Sequence, residues 1–309
     1  MSRRDDDGSR AAELRAAGTD LSERRRSGVS RGPLIDLAAA GGDGAITWSE
    51  EGAAQIGAAT TVTAIAADAR IAAGYPGLTA AAAGLATPQI RGVATLGGNL
   101  AQRSRCWYFR NPHIPCFKKR AHGCPARSGN HLYGVIFDLG PCVAPHPSTL
   151  ASALLAYEAA VNTDRRKALS IGALLGDGSD ASADHALHGG EIITSIDLPP
   201  PLLGERARYR RALLRTHAEW PLVEVVIRLV VAGEAITCVR LAAGGVAPVP
   251  IRLADAEAAL EGAPVGAETI ARAAAAATAG ARPLPATGYK LALLEGLVRD
   301  LLERMLLEA

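Results

Sequence analysis

The stretch TPQIRGVATLGGNL spans residues 87–100 and ends in two glycines followed by an asparagine and a leucine. Glycine has no Cβ atom, so its backbone can approach a ligand closely. Residues 95–100, here called the second glycine turn, are therefore typical of a segment that wraps around a ligand. An ordinary surface turn would account for the same residues equally well, so the residues on either side must decide between the two.

A cluster of cysteines follows this turn. Four of the five cysteines lie between residues 106 and 142, and six of the twelve aromatic residues lie there too. This clustering favours a metal or iron–sulfur site in a bulky apolar shell, with Trp107, Phe109 and Phe117 expected to cover it. The gaps between the cysteines are longer than those of zinc knuckles, which favours an iron–sulfur cluster wrapped by separate loops. The four candidate ligands are Cys106, Cys116, Cys124 and Cys142.

The cysteines could also have either of two simpler roles. They could form two disulfides, as in exported chains, or they could be separate core thiols. Residues 1–12 are polar or small and lack an apolar signal region, so a disordered leader and a reducing, cytoplasmic setting are expected. Export of a folded complex on the signal of a partner is compatible with the same residues.

Charge and hydropathy exclude several function classes. The formal net charge is only +2, and the basic run at residues 24–26 has no interleaved aromatic residues to stack on bases, which argues against nucleic acid as a partner. The most apolar stretch, residues 222–231, is interrupted by Glu224 and Arg228. No membrane span is expected.

The chain divides near the proline triplet at residues 199–201. Short apolar strands alternate with helices before it, which predicts an α/β unit. After it, residues 223–231 and 236–241 predict a hairpin, with a third strand near 245–247 and then three helices. In the last helix, residues 291, 294, 298, 301 and 305 form one apolar stripe. The expected fold class is α+β.

Residues 16–21, here called the first glycine turn, read AAGTDL before a predicted helix. Backbone N–H groups in such a turn, together with the positive end of the helix dipole, can bind phosphate oxygens. A simple helix cap would account for the same residues. His217, Glu219 and Trp220 could suggest an acid–base pair, but they are interpreted as solvated loop residues.

Taken together, the second glycine turn, the RSRCWYF segment at residues 103–109 and the CVAPHPSTLASALLAYEA segment at residues 142–159 resemble one known family. This is the flavin-binding medium subunit of the molybdenum hydroxylases, the family of xanthine dehydrogenase and aldehyde oxidoreductases. The resemblance covers roughly residues 14 to 305. It is greatest for the branch with a cysteine insert, which includes bacterial aldehyde oxidoreductase and 4-hydroxybenzoyl-CoA reductase.

The resemblance implies a fold, domain limits and cofactors. The FAD-binding domain, of the vanillyl-alcohol-oxidase/PCMH type and in two α/β parts, would span residues 13–201, with an iron–sulfur insert at 103–145. Residues 202–309 would form a smaller domain of a three-stranded antiparallel sheet with a helical bundle. The four insert cysteines would bind a 4Fe-4S cluster. The implied FAD-binding residues are Gly18, Thr19, Asp20, Leu21, Thr95, Gly97, Gly98, Asn99, His146, Ser148 and Arg211.

Three positions depart from the family pattern. Ala17 stands where a second glycine is usual, Thr149 stands where an aspartate usually follows the HPS segment, and Arg211 replaces a common lysine. Much of the N-terminal strand and helix that usually precede the first glycine turn is also missing.

The implied function is electron transfer. Electrons would arise at a molybdenum cofactor in a large partner that oxidises an aldehyde or N-heterocycle, pass through 2Fe-2S centres in a small partner, and reach FAD on this chain. The complex would be a heterotrimer or its dimer, with no catalytic acid or nucleophile on this chain. Two alternatives are a non-catalytic assembly subunit with a structural metal and a degenerate flavin site, and a flavin subunit with reversed electron flow, as in 4-hydroxybenzoyl-CoA reductase.

Overall fold

The computed structural model describes residues 12–37, 44–215 and 218–308. Residues 1–11 of the predicted leader lie outside these ranges. Within them, the chain forms a two-stranded, a five-stranded and a four-stranded sheet with helices packed on them. This arrangement confirms the predicted α+β class.

The first unit contains two sheets. Strand β1 (Glu13–Arg15) pairs in parallel with β2 (Leu34–Asp36), and α1 (Leu21–Arg26) lies between them in the chain. The five-stranded sheet has the order β3-β4-β7-β5-β6, with all neighbours antiparallel. Its strands are β3 (Ile46–Trp48), β4 (Ala54–Gly57), β5 (Ala160–Thr163), β6 (Leu169–Ser170) and β7 (Ile193–Leu198).

Side-chain caps set the starts of most short helices in this unit. The side chains of Thr61, Thr87, Thr95 and Ser148 each accept a hydrogen bond from a backbone N–H of the first turn, which satisfies donors that the helix itself cannot pair. Strand β4 ends at Gly57, and the Thr61 cap begins the next helix shortly after it. The helices are α2 (Val62–Ala67), α3 (Ala69–Gly74), α4 (Pro76–Gly84), α5 (Pro88–Val93), α6 (Leu96–Leu100), α7 (Trp107–Arg110), α8 (Thr149–Ala156) and α9 (Ile171–Leu175).

Helices α4 and α8 pack against each other in the core of the first unit. Leu78, Leu150, Leu154 and Ile196 are fully buried there, and burial of each side chain of this size stabilises the fold by about 1.5–3 kcal/mol. Tyr157 closes the end of α8, where its hydroxyl accepts a hydrogen bond from the Gly77 N–H at 3.0 Å. The second glycine turn is held against this core.

The second unit is a four-stranded antiparallel sheet in the order β11-β10-β9-β8, covered by three helices. The predicted hairpin is confirmed as β9 and β10, but the sheet has four strands rather than three. Residues 245–247 form a turn, with Gly245 at φ +76°. The elements are β8 (Arg206–Ala212), β9 (Val223–Ala232), β10 (Ala235–Gly244), β11 (Ile251–Arg252), α10 (Ala254–Leu260), α11 (Ala267–Ala276) and α12 (Tyr289–Leu306).

The sequence patterns did not predict strand β8. Its RARYRRA sequence carries four arginines, which strand propensities do not favour. As the edge strand it exposes Arg206, Arg208 and Arg210 to solvent, whereas Arg211 is half-buried. Charged residues on an edge also block pairing with other chains.

Helix α12 buries the predicted stripe against the second sheet. Leu294, Val298, Leu301 and Met305 are buried, together with Leu302. None of the helices in the described residues has the length and apolar character needed to cross a membrane.

Candidate functional site

The two glycine turns lie against each other. A Cβ atom built on Gly98 would be 3.6 Å from Cβ of Ala16 and 3.0 Å from Oγ1 of Thr95, and one on Gly97 would be 2.9 Å from Cβ of Ala58. A side chain at Gly97 would clash with Ala58, and one at Gly98 would press on Thr95 and enter the space between the two turns. The two glycine turns, residues 16–21 and 95–100, thus form one backbone pocket, here called the cradle.

The first glycine turn presents free backbone donors. Gly18 has φ +74°, a conformation that L-residues rarely adopt. Among the described residues, the N–H groups of Ala17, Gly18 and Thr19 have no acceptor. Successive N–H groups in such a turn form a concave anion site, so the turn has the donor set that a pyrophosphate requires. Leu21 is buried and anchors the start of α1.

The carboxylate of Asp20 binds to the cysteine insert. It accepts a hydrogen bond from the Arg103 N–H at 3.1 Å and pairs with the guanidinium groups of Arg105 at 2.6 Å, Arg110 at 2.7 Å and Arg24 at 3.1 Å. Burial alone would raise the pKa of Asp20, but the three arginines lower it overall. The side chain therefore holds the first glycine turn against the start of the insert.

Three of the predicted cofactor residues form one hydrogen-bonded chain. The Ser148 hydroxyl donates to Oδ1 of Asn99 at 2.6 Å, and the Ser148 N–H donates to Nδ1 of His146 at 3.2 Å. Oγ1 of Thr95 accepts from the Gly98 N–H at 3.2 Å. These contacts link the second glycine turn to the segment that begins α8.

Arg211 lies beside a buried carboxyl group that the sequence motifs do not mark. It is opposite Glu224 in the register of β8 and β9. The Glu224 carboxyl accepts hydrogen bonds from Ser152 at 3.1 Å and Tyr209 at 2.9 Å, and also interacts with Thr149. Burial raises the pKa of Glu224 despite these partners. Thr149, one of the departures from the family pattern, therefore interacts with the carboxyl group of Glu224 on β9.

A cavity of about 330 Å³ lies between the insert, the start of α8, the β8–β9 loop and the start of α12. Its walls are mainly aromatic and apolar, with a few charged groups, which is the usual character of a small-molecule site. Of the predicted cofactor residues, His146 lines it. The walls also include Trp107, Tyr133, Trp220, Glu224 and Lys290.

Trp220 and Glu219 were interpreted as solvated loop residues, but both line this cavity. Trp220 is still 54% exposed, because it lies at the mouth of the cavity, where the guanidinium of Arg105 stacks on its ring at 4.6 Å. His217 lies outside the described residues.

The four insert thiols interact with one another. The Cys142 thiol donates a hydrogen bond to Cys124, which lowers the pKa of Cys124 to about 5 and raises that of Cys142. Burial raises the pKa of Cys106, and the nearby Cys124 and Cys116 raise it further. Within the described part of the chain, no three His, Cys, Asp or Glu side chains are arranged to hold one metal ion.

Trp107, Phe109 and Phe117 were expected to form an apolar cover over the thiols. Phe109 and Phe117 do so only in part, and Trp107 does not. Phe109 is buried, and Phe117 packs against Cys142. Trp107 is 63% exposed and stacks on Tyr133 with ring centroids 6.0 Å apart, because it forms a wall of the cavity instead of a lid over the thiols.

A buried polar cluster connects the insert with residues 184–185. Asp184 pairs with Arg103 and, at 2.7 Å, with Lys118, and these cations lower its pKa although burial opposes them. Burial lowers the pKa values of His146 and His185 to about 4. Nε2 of His146 and Nδ1 of His185 have no hydrogen-bond partner among the described residues.

The buried His185 predicts that the folded chain loses stability at acid pH. His185 is neutral in the folded chain down to about pH 4, whereas its unfolded value is 6.5. The contribution of His185 to the free energy of unfolding is therefore fully present above pH 6.5. It is lost as the pH falls from 6.5 to 4, because the unfolded chain binds the proton first. Replacing His185 with glutamine should reduce the loss of unfolding free energy between pH 7 and pH 5 by about 1–2 kcal/mol. Urea denaturation at the two pH values measures this difference. A variant with the wild-type pH dependence would contradict the prediction.

Two solved structures share the fold of this chain. Carbon monoxide dehydrogenase from Oligotropha carboxidovorans matches with a TM-score of 0.74, 20% identity, and coverage of 96% of this chain and 91% of the other. Quinoline 2-oxidoreductase from Pseudomonas putida matches with a TM-score of 0.71, 19% identity, and coverage of 96% and 89%. At these identities the matches show a shared fold.

Sequence comparison identifies the family. Residues 8–201 match the FAD binding domain in molybdopterin dehydrogenase, and residues 207–309 match the CO dehydrogenase flavoprotein C-terminal domain. The aldehyde oxidoreductase FAD-binding subunit PaoB of Escherichia coli is 34% identical over 257 residues, which cover 81% of this chain and 79% of that one. The chain therefore belongs to the FAD-binding subunits of the molybdenum hydroxylase family, as its motifs predicted.

Proposed function

We propose that this chain is the electron-transfer subunit of a molybdenum hydroxylase complex, receiving electrons from 2Fe-2S centres of a partner and delivering them through FAD to an external acceptor. The observation that carries the proposal is the cradle of two glycine turns with unpaired backbone donors at Ala17, Gly18 and Thr19. The proposed domains are residues 13–201 for FAD binding, with the insert at 103–145, and residues 202–309 for the smaller unit.

Residues on both sides of the cradle would hold the FAD. The backbone of the first glycine turn would bind the pyrophosphate, and the second glycine turn would lie along the ribityl chain. The flavin ring would enter the aromatic cavity beside His146. A bound flavin supplies the capacity to accept and release electrons, while the protein orients it and controls its surroundings. The proposed contacts are Gly18, Thr19, Asp20, Leu21, Thr95, Gly97, Gly98, Asn99, His146, Ser148 and Arg211.

The chain's own contribution is positioning and exclusion of water. The Asn99–Ser148–His146 chain holds the second glycine turn and the cavity wall in a fixed relation. His146 is neutral at physiological pH because burial lowers its pKa to about 4, so it adds no charge to the cavity. The proposed task requires no nucleophile or general acid on this chain.

We also propose that Cys106, Cys116, Cys124 and Cys142 bind a 4Fe-4S cluster. The mutual effects of the thiols on their pKa values support this, because ligands that share a cluster must lie near one another. Nearby cations would balance its charge. Lys118 lowers the pKa of Cys142, and the buried Lys119 lies close enough to Cys116 and Cys106 to be affected by their charge. Four thiolates are the usual ligands of such a cluster.

The names of the relatives indicate the substrate class and the partners. PaoB is named as a subunit of an aldehyde oxidoreductase, and the similar folds occur in enzymes named for carbon monoxide and quinoline. We propose aldehydes or N-heterocycles as substrates, bound on a large molybdenum subunit, with a small 2Fe-2S subunit completing a heterotrimer or its dimer. The complex is expected in the cytoplasm, or in the periplasm if a partner carries an export signal.

Anaerobic purification of the chain with its partner subunits tests the function. The expected complex contains one FAD on this chain and, from the four thiolate ligands, about four iron atoms in the insert. It should reduce an artificial electron acceptor when an aldehyde or N-heterocycle is added. A colourless, zinc-containing chain that takes up no FAD would contradict the proposal and favour a structural assembly role.

A further inference from the structure

Lys290 is a buried lysine in the wall of the cavity. It is 1% exposed, and its Nζ donates to the carbonyl oxygens of Gly245 at 2.7 Å and Tyr133 at 3.2 Å. Tyr133 belongs to the insert, Gly245 follows β10, and Lys290 lies in the first turn of α12. The ammonium group therefore lies where three separate segments converge on the cavity.

The charge of this lysine is not balanced by a carboxylate. Among the described residues it forms no ion pair, and burial alone lowers its pKa to about 7. Burying an unpaired cation is costly, so a retained one requires a compensating interaction. An ammonium group has three N–H donors, and two carbonyl bonds leave one available.

Neither carboxyl group in the cavity wall provides this compensation, because Glu219 accepts a hydrogen bond from the Arg215 N–H at 3.0 Å and pairs with the Arg215 guanidinium at 3.5 Å. Glu224 also lines the cavity, but its oxygens accept hydrogen bonds from Ser152 and Tyr209. Burial raises the pKa of Glu224, which further reduces its negative charge. The cavity thus contains a cation that a bound ligand is able to neutralise.

We propose that Lys290 recognises the negative charge that the flavin ring gains on reduction, and so binds the reduced cofactor more tightly than the oxidised one. This inference rests on the proposed function, which places the ring in this cavity. The ring is the ligand that the walls favour, because Trp107, Tyr133 and Trp220 offer planar surfaces. A cation that is itself buried stabilises developing charge strongly, since little reorganisation is needed.

Reduction potentials test the proposal. The variants Lys290→Met and Lys290→Gln remove the charge, and glutamine keeps two N–H donors for the carbonyls. In the complex, each should retain oxidised FAD but lower the two-electron reduction equilibrium by about tenfold, which corresponds to about 30 mV. Lys290→Arg should stay close to wild type. Lys167→Met, which removes an exposed lysine between β5 and β6, is the matched control.

A purely structural role for Lys290 gives a different result. If Lys290 only held the cavity wall together, its loss would weaken the binding of oxidised and reduced FAD equally. The reduction potential of any bound flavin would then be unchanged. Wild-type potentials in both neutral variants, or unfolding or loss of oxidised FAD in both, would overturn the proposal. If the wild-type complex itself contained no FAD, the proposed function would fail instead, so the two failures are distinguishable.

Discussion

Replacing Gly98 with valine is expected to weaken FAD binding strongly while leaving the chain folded. The added Cβ would lie 3.0 Å from Oγ1 of Thr95 and 3.6 Å from Cβ of Ala16, so the branched side chain would fill the space between the two glycine turns. We expect the affinity for FAD to fall on the order of 100-fold, about 2.7 kcal/mol. Titration of flavin fluorescence with the flavin-free chain measures it.

Gly92→Val provides the matched control for this experiment. Gly92 lies in the preceding helix, α5, and a Cβ atom there would have no neighbour within 4 Å. The control should bind FAD like the wild type and lose only the modest helix stability expected for a β-branched residue. Equal FAD binding by the Gly98 and Gly92 variants would show that the cradle is not the flavin site.

The second large effect is expected at the cysteine insert. Cys124→Ser should lower the affinity for the proposed iron–sulfur cluster by at least about 100-fold, because losing a direct ligand costs more than losing a residue that only hydrogen-bonds to a ligand. Cys124 is the most informative choice because its hydrogen bond with Cys142 lowers its pKa, which favours the thiolate form that binds iron. Serine offers no comparable anion. Iron and acid-labile sulfide per chain, with flavin measured in parallel, give the result.

Cys238→Ser serves as the control for the insert. Cys238 is a partly buried residue of β10 outside the group of four. This variant should keep the full iron content. Unchanged iron in the Cys124 variant, or an equal loss in both, would mean that the insert thiols do not hold a cluster.

The sequence reveals those parts of the site that depend on local composition. Paired glycines before Asn99 and four clustered cysteines are visible without any knowledge of the fold. The structure adds that the two turns touch and that Ser148 is hydrogen-bonded to Asn99. Those pairings join residues far apart in the chain, and no local pattern specifies them.

Lys290 and Glu224 were missed for a related reason. The partner of Lys290 in the insert is 157 positions away, and that of Glu224 in α8 is 72 positions away. One signal in the sequence nevertheless pointed to Lys290. It precedes Leu294 and Val298 at four-residue steps, so helical periodicity places it on the buried stripe of α12. A charged residue at such a position indicates a special role, because lysine is rarely buried without a partner.

The binding of Asp20 to the insert has a consequence for how the subunit matures. The carboxylate accepts hydrogen bonds from the Arg103 amide and the guanidinium of Arg110. These bonds hold the first glycine turn against the start of the insert, just before Cys106. Order in one region constrains the other. We therefore expect the proposed FAD and iron–sulfur cluster to be loaded cooperatively, with iron starvation slowing flavin uptake.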